Sequence, residues 1–324
     1  MERGREKTKV FDGSNTSTGR LASSSFLDTL ASFFEGRGAF LFLVPALILI
    51  GIFVVFPVVW DVYVSLTNAS LVGPSARHYS FVGFYNYVRL FRDFLFINSL
   101  KVSFAFTVLS ALIGQAFLGL ALAMISRMEG IRGKMIVTTI VFIAWVIPGV
   151  VSGYAWSAVT AQQGLIASIL SLFGYKVKYA LYFTHPFWVI VIANIWRGTA
   201  FSMILFTAAL EGIPRYIYEA AEVDGATPWQ RFRHVILPLI SQAILVDFIL
   251  ITIWTFGVFA LPYMILGPGG GRGNAGQIWT LYIYFKAIDN FDIALAAAAS
   301  NVMFVIVLAL IIAYLWSMKH FRRW

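Results

Sequence analysis

Long apolar runs separated by short polar segments organise this chain. Six of them, at 38–66, 97–125, 134–159, 186–210, 238–265 and 292–317, are each long enough as helices to cross about 30 Å of hydrocarbon with some tilt. The pattern predicts an all-α integral membrane protein with six transmembrane helices. Prolines fall inside several runs (Pro45, Pro57, Pro148), which is tolerated where neighbouring helices or waters satisfy the freed carbonyls. Two polar segments carry amphipathic patterns of their own. Phe84, Tyr87, Val88, Phe91 and Leu95 recur at helical spacing, as do Leu165, Ile166, Ile169 and Phe173. They predict helices lying at the outer membrane interface, with docking of an external partner as the alternative. Residues 1–37 are polar and Ser/Thr-rich and predict a flexible tail with a short interfacial helix over 21–34. No small-residue cleavage site ends a short apolar stretch, so the first run reads as an uncleaved span.

Composition narrows the class. Of the 324 residues, 60% are hydrophobic and only 12% are charged, about half the charge of a soluble domain. A net charge of +9 raises nucleic acid as a partner. The basic residues sit between the apolar runs and form no basic, aromatic-interleaved face, which excludes that class. They fit membrane orientation instead. With the N-terminus inside, fifteen Lys and Arg lie on the inner side and eight on the outer, with Arg197 inside a span. Both termini are therefore expected in the cytoplasm of a multi-pass cell-membrane protein. The absence of cysteine removes disulfides, thiolate metal sites and cysteine nucleophiles.

On the inner side, one polar segment is too long for a connector. "YEAAEVDGATPWQRFRHVILP", Tyr218 to Pro238, predicts two short helices where a solvated linker of about two to six residues would serve. Pro214 suits a first helical position, and Gly225 a left-handed C-terminal stop. Thr227, Pro228 and Gln230 form a capping box that starts the second helix, and Pro238 separates it from the next span. Ile217, Ala220, Ala221 and Asp224 share a face, and Glu219 and Glu222 offer carboxylates to arginines elsewhere. A protein-docking element is the reading this chemistry favours.

"EAAEVDGATPWQRFRHVILP" resembles the EAA loop of ATP-binding-cassette importer permeases, matching at Glu219, Ala220, Ala221, Asp224, Gly225, Ala226, Phe232, Ile236, Leu237 and Pro238. Gln242 departs from it where many relatives have a second proline. "LFLVPALILIGIFVVFPVVWDVYVSL", "FVGFYNYVRLF" and "ANIWRGTAFSMILFTAALEGIP" are similar to successive segments of sugar-type permeases, of the MalF-like kind. The resemblance implies the type I importer permease fold, with a six-span domain over 38–324 and a coupling loop over 211–237. It implies that Glu219, Ala220, Ala221, Asp224, Gly225 and Ala226 seat this loop in an ATP-hydrolysing subunit. Expected partners are a MalG-like second permease, two copies of that ATP-binding subunit carrying ATP and Mg²⁺, an extracytoplasmic sugar-binding protein and membrane lipid. No cofactor is expected on this chain.

Polar groups within spans are functional candidates, because a charge at the bilayer centre costs about 2.5–3.5 kcal/mol on insertion scales. Asn194, Arg197, Gly198 and Phe201 share one face of the fourth span, and Asp247, Ile251, Trp254, Thr255 and Val258 one face of the fifth. Two such stripes could line a wet passage, with amide and hydroxyl groups for sugar hydroxyls and an indole to stack on a sugar ring. The resemblance places the solute site of sugar permeases on these two helices. Helix–helix adhesion is the structural alternative, with Arg197 and Asp247 as an ion pair. Ser300 and Asn301 are weaker candidates.

Other chemistry is missing. "GPGGGRGNAG" at 267–276 lacks the G-K-[ST] ending of a phosphate loop and reads as a flexible outer loop. His78, His185, His234 and His320 have no metal-ligand spacing, and no catalytic pair occurs within the spans. The expected function is the permease subunit of a binding-protein-dependent ATP-driven importer of a sugar or oligosaccharide, without a catalytic site. Alternatives are the same architecture with glycerol phosphate or polyamine as cargo, a secondary transporter, or a membrane enzyme.

Overall fold

The computed structural model describes residues 37–128 and 133–321. The tail and its expected helix at 21–34 lie outside the described residues. Compactness divides the chain into two units, Met1–Trp60 and Asp61–Trp324. The described part of the first unit is helical: α1 (Arg37–Ile50), a π-helical turn Gly51–Val55, and the start of α2 (Phe56–Ser65).

The second unit is also helical, and among the described residues the only β feature is an isolated bridge between Thr67 and Phe81. Its elements are α3 (Tyr85–Arg92), α4 (Phe94–Arg127), α5 (Lys134–Val146), α6 (Gly149–Val159) and α7 (Leu165–Leu172). There follow α8 (Pro186–Glu211), α9 (Arg215–Val223), α10 (Pro228–Leu239), α11 (Ser241–Phe256) and α12 (Ala260–Leu266). The last are α13 (Trp279–Tyr284) and α14 (Ile293–Phe321). Among the described residues, four helices can cross a membrane by length and composition: Leu43–Ser65, α4, α8 and Ile293–Ser317. Counting each bent pair, α5 with α6 and α10 with α11, as one span raises the number to six.

Two of the six expected runs are bent or interrupted. The run 134–159 turns by 110° between α5 and α6. Pro148 forces its predecessor out of the helical region, and Ile147 is extended, at φ −61°, ψ 128°. The run 238–265 is interrupted after Phe256 and resumes as α12. Pro238, expected to separate α10 from the next span, lies in the last turn of α10, just after the π-helical segment Phe232–Ile236. Its missing N–H removes one bond of the ladder there, and the 67° bend falls after Leu239. Residues 267–276, expected to be a flexible loop, form a hydrogen-bonded turn, with Gly276 N donating to Gly270 O at 2.8 Å and Asn274 Nδ2 to Gly269 O at 2.9 Å.

Helix α8 is the axis of this unit. Small residues on it (Ala193, Ala200, Ser202) are fully or almost fully buried, and such residues let membrane helices approach closely. One apolar cluster joins Phe106, Ile190 and Leu261, and another joins Ala111, Phe206, Leu210 and Ile251. At the start of α4, Asp93 caps the helix by accepting from Leu95 N at 2.8 Å. Lys286 Nζ lies 2.7 Å from its other oxygen, to which Tyr282 donates at 2.9 Å. Burial opposes ionisation of Asp93, but the hydrogen bonds and the lysine charge outweigh it and hold the carboxyl below the usual carboxylate range. The two amphipathic segments form α3 and α7. Phe84, Val88, Phe91, Leu165, Ile169 and Phe173 are exposed, whereas Asn86 and Leu90 are buried and Tyr87 and Leu95 pack against the Leu90–Phe96 cluster.

Candidate functional site

Side chains from four helices meet around a cavity of about 60 Å³. α8 supplies Asn194, Arg197, Gly198 and Phe201, and α11 supplies Ile251, Trp254 and Thr255, with Val258 just beyond its end. Gln115 enters from α4 and Trp145 from α5. The two stripes read from the sequence therefore converge on one space, large enough for about two waters. The aromatic wall is ordered by contact. Phe201 and Trp254 meet edge to face at 4.5 Å between centroids, and Trp145 lies 6.3 Å from Phe201. Trp254 is nevertheless 49% exposed, so an indole face remains open to a ligand.

The polar groups differ in how they are held. Asn194 is buried and donates through Nδ2 to Ser110 Oγ at 2.8 Å. Arg197 Nε is buried without a hydrogen-bond partner among the described residues, an uncompensated donor beside the α5–α6 bend. Asp247 does not line the cavity. It is fully buried and accepts from Ser202 Oγ at 2.9 and 3.0 Å, so the expected alternative of an Arg197–Asp247 ion pair does not form. Asn301 is used locally, donating to Ala297 O at 3.0 Å.

The second constellation is the elbow of α9 and α10. Helix α9 begins at Arg215 with Pro214 as its extended cap, one residue later than the sequence suggested. It ends in a Schellman motif: Gly225 N donates to Glu222 O and Ala226 N to Ala221 O, each at 3.0 Å. Gly225 takes φ +74° for this turn, a conformation that costs a side-chain-bearing residue about 1–2 kcal/mol. The Thr227–Gln230 capping box starts α10. Glu219 pairs with Arg215 at 3.2 Å and Glu222 with Arg231 at 3.5 Å. Ile217 and Tyr218 pack against the Leu210–Ile213–Ile240 cluster. Glu219, Ala220, Asp224 and Gly225 are exposed, as are the large side chains of Tyr216, Val223 and Trp229. One face of the elbow is thus bound to the bundle, and the other is uncovered and partly apolar.

Gln115 and Trp145 were not singled out in the sequence. A glutamine inside a long apolar run is a visible signal. A tryptophan three residues before Pro148 becomes meaningful only once the chain bends there.

Residues 115–324 match the family described as the binding-protein-dependent transport system inner membrane component. The chain is 33% identical over 293 residues to the trehalose/maltose transport system permease protein MalF of Thermococcus litoralis, covering 89% of this chain and 96% of that one. It is 32% identical over 286 residues to the trehalose transport system permease protein SugA of Mycobacterium tuberculosis, covering 88% and 90%. Its fold resembles a chain in the crystal structure of a bacterial alginate ABC transporter in complex with an alginate pentasaccharide-bound periplasmic protein. That match has a TM-score of 0.71 and 24% identity, and covers 88% and 94%. The converging spans, the capped elbow and these matches make this chain a multi-pass membrane permease subunit of the binding-protein-dependent ABC importer family.

Proposed function

We propose that this permease conducts a sugar or oligosaccharide, and that the cavity around Asn194, Phe201 and Trp254 is its cargo site. One observation carries the reading: an open indole, a buried amide and a hydroxyl meet in one space inside the apolar bundle. Sugar rings offer an apolar C–H face to an aromatic ring and hydroxyls to amides. The names of the two relatives, trehalose/maltose and trehalose permeases, support the same class. The cavity is smaller than a disaccharide, so a second, MalG-like permease completes the passage in this proposal.

In this reading α9 and α10 face the cytoplasm, with both termini on that side. Glu219, Ala220, Ala221, Asp224, Gly225 and Ala226 seat the elbow in one of two ATP-binding subunits, which hold ATP and Mg²⁺. Closure of those subunits moves the elbow. Because Ile217 and Tyr218 are packed into the Leu210 cluster, the movement passes to α8 and thus to the cavity wall. An extracytoplasmic binding protein delivers the cargo. The test is uptake by the purified complex in proteoliposomes with its binding protein. Sugar accumulation that needs ATP is expected, and accumulation without the ATPase subunits would refute the reading.

A second cargo class has an observation in its favour. The unpartnered Arg197 Nε suits an anion such as glycerol phosphate. A polyamine fits poorly, because that guanidinium lines the cavity and no carboxylate does.

A further inference from the structure

Gln115 closes the π-helical segment Thr107–Gln115 in the middle of α4. Such a segment sets an additional residue into the helix, and each added residue turns the following side chains by about 100°. The Gln115 side chain is 4% exposed and crosses to α8, where Nε2 donates to the backbone oxygen of Asn194 at 3.2 Å. A backbone carbonyl can only accept, so the amide nitrogen is the atom bonded to Asn194, and Oε1 lies beside it over Gly198, which also lines the cavity. Gly198 provides the space for this, since a Cβ there would overlap the Gln115 amide. Oε1 makes no hydrogen bond within the described residues, while Gln115 lines the cavity.

We propose that Gln115 is a specificity-determining residue of the cargo site, presenting a fixed neutral acceptor to one hydroxyl of the cargo. The inference rests on the proposed reading of the cavity as the sugar site. Its physical content is orientation. An amide anchored through its nitrogen cannot rotate to suit an incoming group, so it accepts from a hydroxyl in one place and leaves other isomers unpaired. A polar group left unpaired in a desolvated site discriminates more strongly than a change of shape does.

The experiment uses the full complex in proteoliposomes and three isomeric disaccharides, trehalose, maltose and lactose. Gln115→Met keeps the length of the side chain and removes the acceptor. The expected result is a change of about tenfold in the ratio of kcat/KM among the three sugars, carried by KM. Gly198→Ala, which displaces the same amide, should move the ratio in the same direction and carries the test if the methionine variant does not assemble. A uniform fall for all three sugars, or no change, overturns the inference and leaves Gln115 a packing residue. If the wild-type complex takes up none of the three, the same ratio is read on the sugars of a wider neutral panel that it does accumulate. Accumulation of none of these overturns the cargo reading and this inference together. A shift with Trp254→Ala but none with Gln115→Met overturns this inference alone.

Discussion

Arg127, on the last turn of α4, lies over the ring of Tyr218 on α9, with its guanidinium carbon 5.4 Å from the ring centroid. It donates to the Tyr218 hydroxyl at 3.2 Å and to the backbone oxygen of Leu210 near the end of α8. The Leu210 carbonyl, in the last turn of its helix, also accepts from Ile213 N at 3.2 Å and carries the partial negative charge of a helix C-terminus. One cation therefore fastens the elbow to the ends of the two helices that supply Gln115 and Asn194. Arg127→Leu should lower uptake about tenfold, within the 0.5–2 kcal/mol typical of coupling residues, while ATP hydrolysis by the complex continues. The ratio of sugar moved to ATP hydrolysed is the measurement, and an unchanged ratio would exclude this linkage.

Gly225→Val should abolish uptake in a protein that still inserts, because the valine must adopt φ +74° and the Schellman turn opens. Glu219→Lys separates docking from folding. Its pair with Arg215 is exposed on both sides and contributes little stability. Loss of uptake and of ATPase co-purification with an unaltered melting temperature is expected for Glu219→Lys.

Trp254→Ala removes the open indole and its contact with Phe201, worth about 0.5–1.5 kcal/mol. Uptake rate and selectivity should both fall in the intact complex. Initial rates across a sugar panel would show whether they do.

Ser202→Ala tests a residue that supports the bundle without lining the cavity. It strands the buried Asp247 carboxyl, which accepts from Ser202 through both oxygens. A loss of roughly 1–3 kcal/mol is expected. Thermal melting in detergent should register it, while the selectivity ratio among sugars holds.

The Asp93–Lys286–Tyr282 cluster predicts a dependence on acid. The folded-state value of Asp93 is below the ordinary 3.8, so the cluster's stabilisation is present above that value and is lost as pH falls through the lowered one. Asp93→Asn should therefore flatten the melting temperature relative to wild type as pH falls below about 4. Parallel pH profiles of the two proteins would reveal equal slopes if the cluster contributes nothing.

The capped elbow was legible because its determinants are local. Thr227 and Gln230 are three residues apart, and Gly225 acts within its own turn, so short-range hydrogen bonding specifies both. The apolar runs were legible for a similar reason, since hydrocarbon demands length and apolarity of every spanning helix. The cavity stripes on α8 and α11 followed from helical period alone. Nothing local announced that Ser202 would take Asp247 away from Arg197, or that the chain would turn by 110° at Pro148 and by 67° after Leu239.

Sequence by itself determined the helical membrane class, the elbow with its caps, and which faces of two helices carry polar and aromatic groups. Each depends on neighbours within a turn or two. The tertiary structure decided which of those faces meet, which ion pair is absent, and that Gln115 reaches across to Asn194. Those outcomes depend on close approach between segments 79 residues apart in the chain, as Gln115 and Asn194 are, and on a π-helical turn that sets the direction of the side chain at its end.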